Sequence, residues 1–122
     1  MFSARSSSAR ALLIIVALLA LAGLFLVLRP VVAGPQQRVY EVTISDAGMT
    51  PQELNATEGD RVRIRVTSDR AVSFHLHGYD LVAKGGPGDV GPLEFTAVKT
   101  GRFEIEDEER EEALGELIVE PR

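Results

Sequence analysis

The sequence contains no cysteine. That excludes disulfides, a cysteine-linked lipid anchor and any metal site built on thiolate. Histidine and methionine are scarce as well, with two of each. Positive charge is also short. Setting aside the three arginines before residue 30, 10 basic residues face 18 acids, so the remainder carries a charge near −8. Such a surface argues against nucleic acid or an anionic lipid surface as a partner.

One long hydrophobic run is present. Ala11 to Leu28 is apolar throughout, preceded by Arg5 and Arg10 and followed by Arg29-Pro30. As a helix it extends about 27 Å, close to the hydrocarbon thickness of a bilayer. The basic flank predicts a cytoplasmic N-terminus and places everything after Pro30 on the far side. The expected division is therefore a cytoplasmic N-terminus at 1–10, a transmembrane anchor at 11–28, a linker at 29–38 and one folded domain at 39–122. Val31-Val32-Ala33 before Gly34 also reads as a signal-peptide cleavage site, although the run exceeds the usual ~7–15 residues of a signal core. The expected location is the cell membrane, single-pass, with the domain extracytoplasmic, or secreted if the segment is cleaved. Without disulfides, hydrophobic packing must hold that domain together.

Strand signals dominate the domain. Val39 to Ser45 alternates, Met49-Thr50-Pro51 breaks the pattern, and Glu58-Gly59-Asp60 reads as a turn. In Arg61 to Thr67, Val62, Ile64 and Val66 face a core while Arg61, Arg63 and Arg65 face water or acidic neighbours. Val72, Phe74 and Leu76 share one face, and Ser73, His75 and His77 the other. Leu81 to Ala83 is a short strand, and Lys84 to Pro92 reads as a glycine/proline loop without regular structure. Further strands cover Leu93 to Val98, Arg102 to Ile105 and Gly115 to Glu120; Asp107 to Leu114 has room for a helical turn. Seven or eight short strands predict a β-sandwich or small barrel.

The segment His75-Leu76-His77-Gly78-Tyr79-Asp80 carries the clearest chemistry. Histidines two apart on a strand point to one side, so His75 and His77 can converge on one metal ion. Two histidines are half a site. Asp80, Asp107 or Met49 is the expected source of a further ligand, with Met49 also suited to filling a core gap. The plainer reading has one histidine hydrogen-bonded at the sheet end and the other exposed. The run Glu106 to Ala113 offers hard carboxylate donors near the histidines, or simply a solvated surface loop. Lys84 to Asp89 lacks the Gly-Lys-Ser/Thr ending of a phosphate-binding loop. Asn55-Ala56-Thr57 is a glycosylation sequon, of consequence only in a eukaryotic host. No serine-hydrolase arrangement is legible around Ser68 and Ser73.

Taken in order, these features resemble the cupredoxin-like family, and within it EfeO-type domains, named for a periplasmic iron-uptake protein. The resemblance rests on Met49-Thr50-Pro51 before Leu54, Glu58-Gly59-Asp60 leading into Val62 to Ser68, and Phe74 to Asp80. It continues through Pro87-Gly88, Phe95-Thr96-Ala97, Gly101-Arg102-Phe103 and Leu114 to Val119. It implies a Greek-key β-sandwich behind the single N-terminal transmembrane helix. In type 1 copper members the loop between the last two strands supplies a cysteine, a histidine and often a methionine. Here that loop is Glu106 to Ala113 and has none of them, so blue-copper electron transfer is excluded.

The expectation is a membrane-anchored extracytoplasmic domain binding copper or iron at a non-blue site of His75, His77, Asp80 and Asp107, and not an enzyme. The alternative is a metal-free, degenerate member that serves as an interaction module for a membrane or periplasmic protein.

Overall fold

The computed structural model describes residues 5–28 and 33–122. Residues 1–4 of the expected cytoplasmic end, and 29–32 of the expected linker and cleavage site, lie outside the described residues. The chain forms two compact units, one ending at Ala33 and the other running from Gly34 to Arg122.

The first unit is helix α1, Arg5–Val27. Its Ser7–Val27 stretch has mean hydropathy 2.7 and is long and apolar enough to cross a membrane. At 1.5 Å per residue it spans about 31 Å. Its leucines and isoleucines are exposed on every face, with no polar stripe for water, the pattern of a helix made for an apolar solvent.

The second unit is a nine-stranded sandwich. Strands β1 (Gln37–Ser45), β2 (Gly48–Thr50), β4 (Arg61–Ser68) and β7 (Gly88–Thr96) form one sheet in the order β2-β1-β4-β7. Strands β3 (Glu53–Thr57), β5 (Val72–Leu76), β6 (Leu81–Gly85), β8 (Gly101–Asp107) and β9 (Glu112–Glu120) form the other in the order β3-β9-β8-β5-β6. Pairings β1 with β4 and β3 with β9 are parallel; the remaining pairings are antiparallel. Alternate residues meet between the sheets: Val42 and Ile44, Val62, Ile64 and Val66, Phe74 and Leu76, Ile105, Leu117 and Val119 are all buried. Each such side chain contributes about 1.5–3 kcal/mol by leaving water, which is how a domain without disulfides is held. Met49 belongs to this core, 1% exposed. The arginine stripe on β4 does meet acids on its neighbours: Arg65 pairs with Glu41 of β1, and Arg63 with Glu94 of β7.

Two expectations need correction. Lys84 to Pro92 is not a loop: β6 runs through Gly85 and β7 starts at Gly88, leaving Gly86-Pro87 as the connection. Gly86 has a φ of +89°, and a Cβ there would lie 2.2 Å from the Arg70 carbonyl oxygen. The glycines in this stretch thus serve close approach and a β-bulge opposite Val66/Thr67, not disorder. Likewise, Asp107 to Leu114 holds no helical turn. Residues 108–111 form a tight turn between β8 and β9, and Glu111 takes a φ of +51° there.

The open end of the sandwich is fastened by Asp60, which is fully buried. Its carboxylate accepts the backbone N–H groups of Gln36 and Thr57 and the guanidinium groups of Arg38 and Arg122. Burial pushes the Asp60 carboxyl up, and these four donors more than offset it, drawing it down to about 2.

Candidate metal centre

The site is built by register. Strand β5 pairs antiparallel with β8 so that His75 lies opposite Glu106, Phe74 opposite Asp107 and Leu76 opposite Ile105. The ladder continues one step past β5, because the His77 N–H donates to the Glu104 carbonyl at 2.9 Å. His75 and His77 therefore stay on one side, the outer face of the five-stranded sheet. Glu106 rises between them from the neighbouring strand.

Glu106 Oε1 lies 2.7 Å from His77 Nε2 and 3.4 Å from His75 Nδ1. The two imidazole rings stand 4.4 Å apart, tilted by 33°. Each residue offers one ligand atom, and those atoms all lie within 4.8 Å of one another. The two ring nitrogens are shielded from solvent, yet neither forms a directional hydrogen bond. A cation among the three donors would engage both ring nitrogens and the carboxylate oxygen together. A metal at ~2.1 Å from each ligand sets neighbouring ligand atoms ~3.0–3.4 Å apart, against 2.7 and 3.4 Å from the Glu106 oxygen to the two nitrogens. The donor set therefore fits a metal ion. The close His77 nitrogen is the main influence holding the Glu106 carboxyl below the usual carboxylate range. Burial opposes it, and the His77 charge and His75 add to it.

Glycine at position 78 matters to this geometry. Its φ is +78°, and a Cβ would come within 2.4 Å of the Phe103 ring. The chain turns sharply there, right after the second histidine, with Phe103 packed beneath it. Tyr79 then anchors the turn: its ring meets Phe95 and Phe103, and its hydroxyl donates to the Lys99 carbonyl at 2.7 Å.

The two acids expected alongside the histidines stand elsewhere. Asp80 occupies the turn after Gly78 with a φ of +51° and is exposed. Asp107 is one residue out of phase with Glu106, so it points to the opposite side of β8 and is fully buried. It accepts the Ser73 N–H at 3.2 Å and the Arg110 guanidinium at 2.7 Å. Burial raises the Asp107 carboxyl, and Arg110, with the Ser73 N–H, more than offsets this and lowers it. Neither acid joins the cluster among the described residues. Glu106 takes their place because β8 extends two residues beyond Ile105. The alternation Arg102, Glu104, Glu106 against Phe103, Ile105, Asp107 was the signal for it, hidden by the run of acids that reads as a loop.

The model for the cupredoxin-like domain matches residues 13–119, and the chain belongs to that family. Solved structures share the fold. A blue copper oxidase from Nitrosomonas europaea is 21% identical over 70% of this chain, with a TM-score of 0.58; the match takes in 39% of the oxidase. A copper binding protein solved in its apo form is 17% identical, with a TM-score of 0.60, over 72% of this chain and 98% of its own. The metal binding domain of the Cu(I)-exporting P-type ATPase of Streptococcus pneumoniae is 14% identical, with a TM-score of 0.58, over 68% of this chain and 85% of its own. This chain thus spans well under half of the oxidase, and at such identities the likeness concerns the fold. No curated protein sequence matches. With no cysteine, the chain has no type 1 copper site.

Proposed function

We propose that this is a membrane-tethered, extracytoplasmic metal-binding protein that holds one copper or iron ion at His75, His77 and Glu106. The observation that carries this is the convergence of His75 Nδ1 and His77 Nε2, both shielded and without a directional hydrogen bond, on one Glu106 oxygen. Imidazole suits copper and iron, carboxylate suits the harder oxidation states, and no thiolate is present to favour Cu(I). Cu(II) stands highest in the affinity order for such a nitrogen/oxygen site. The copper proteins that share the fold support copper as the cargo. The function so assigned is binding and handling of the ion rather than catalysis. Helix α1 serves as a retained anchor in this reading, supported by its length and apolar character, with the sandwich on the side opposite the basic N-terminus.

Metal titration of the full chain in detergent micelles, with Cu(II), Zn(II) and iron, tests this beside a His75→Ala/His77→Ala double variant. The expected result is one ion per chain, bound tighter than about a micromolar, or ~8 kcal/mol, and lost in the double variant. Weak binding that the double variant leaves unchanged would reject the metal reading and leave a metal-free interaction module.

A further inference from the structure

The strands around the three donors also determine what completes the coordination. On the outer face, the cross-strand neighbour of His75 on β6 is Val82, and that of Glu106 on β9 is Ala113. Neither side chain has a ligand atom. Ser73, the next residue along the row from His75, is fully buried and engages Glu108. Glu104, opposite His77 on β8, is exposed and its carboxylate stands outside the donor cluster. Among the described residues, then, the site has three protein donors and no fourth beside them. The ring nitrogens themselves are shielded, but the flank of the site is not: the His77 side chain is 44% exposed, and Val82, on the edge strand β6, is 46% exposed.

We infer that a metal bound here keeps a coordination position open to solvent, and that this position accepts a side-chain donor, such as an imidazole, from a partner protein. This rests on the metal reading above and adds to it the means by which the ion moves. A closed, four-donor site stores an ion. A three-donor site on an exposed sheet face lets an incoming ligand bind before any protein ligand departs, so transfer proceeds by ligand exchange without release of a free ion. The exposed Val82 gives the incoming segment an apolar contact next to the open position.

The register supplies the test. Directly opposed residues on paired strands place their Cβ atoms about 4.5–5.5 Å apart, so Val82→His puts a third imidazole, and a fourth donor, beside His75. The full chain in detergent micelles is loaded with one equivalent of Cu(II) and titrated with free imidazole. Electron paramagnetic resonance and visible spectra are recorded, and protein-bound copper is measured after dialysis. The wild-type spectrum is expected to shift to that of a ternary complex at sub-stoichiometric loss of copper. Val82→His is expected to bind Cu(II) at least tenfold more tightly and to show little response to imidazole. A wild-type spectrum indifferent to imidazole while copper stays bound overturns the open position alone. So does a Val82→His chain that stays folded by circular dichroism yet matches wild type in both affinity and response. Failure of wild type to retain copper overturns the three-donor reading, and the open position with it.

Discussion

At the scale of single residues, the site depends on three side chains and a glycine. The paired histidines were legible because strand alternation guarantees that positions 75 and 77 share a side. The carboxylate was not. Choosing among Asp80, Asp107 and Glu106 requires knowing where β8 ends, and one residue of phase exchanges Glu106 for Asp107. Glu106→Gln is expected to weaken Cu(II) binding about tenfold or more, or ~1.4 kcal/mol. Asp80→Asn should leave it nearly unchanged, as isothermal titration will show. Gly78→Ala meets both a left-handed backbone and the Phe103 ring. It is expected to destabilise the domain by about 1–3 kcal/mol in urea unfolding; no loss would mean the turn adapts freely.

Elements set which of those residues meet. The clean alternation of Arg61 to Thr67 gave a strand that the structure reproduces as β4, core face and wet face included. The glycine-rich stretch from Lys84 to Pro92 concealed parts of β6 and β7, because glycine and proline signal a break whether they end a strand or merely bend it. The β5–β8 pairing that opposes His75 and Glu106 is clasped by buried Asp107, which ties the turn after β8 back to β5 through Ser73 and Arg110. The Arg110 guanidinium also donates to the Ala71 carbonyl at 2.7 Å. Asp107→Ala leaves the buried Ser73 N–H without this acceptor and leaves Arg110 with the Ala71 carbonyl, and is expected to cost about 1–3 kcal/mol of stability. It should also weaken metal binding indirectly, since the register holding Glu106 in place loosens. Stability lost with affinity fully retained would show that the clasp and the site are independent.

For the whole molecule, the fold class, the single apolar helix and the absence of a type 1 site were all readable from the chain, because they depend on periodicity, length and composition. The fastening of the sandwich by Asp60 was not, because three of its four donors, from Gln36, Arg38 and Arg122, lie 24, 22 and 62 residues away in sequence. This fastening gives the domain an acid sensitivity with a definite sign. The Asp60 carboxyl is depressed in the folded state, from 3.8 to about 2. Its contribution to stability is therefore complete above pH 3.8 and is lost as the pH falls towards 2. Asp107, also depressed, acts in the same direction. Urea midpoints measured from pH 6 down to pH 2 should fall in that window for wild type and fall less for Asp60→Asn, which starts from a lower stability. Identical slopes would place the acid-sensitive group elsewhere.

The central claim is that two imidazoles and one carboxylate share a single ion on the outer sheet face. Pulsed electron paramagnetic resonance of the full chain, loaded with one equivalent of Cu(II), reads the coordinating nitrogens directly. Two histidine nitrogens are expected, falling to one in either His75→Ala or His77→Ala. A spectrum without histidine nitrogen, or one that neither substitution alters, would contradict the claim.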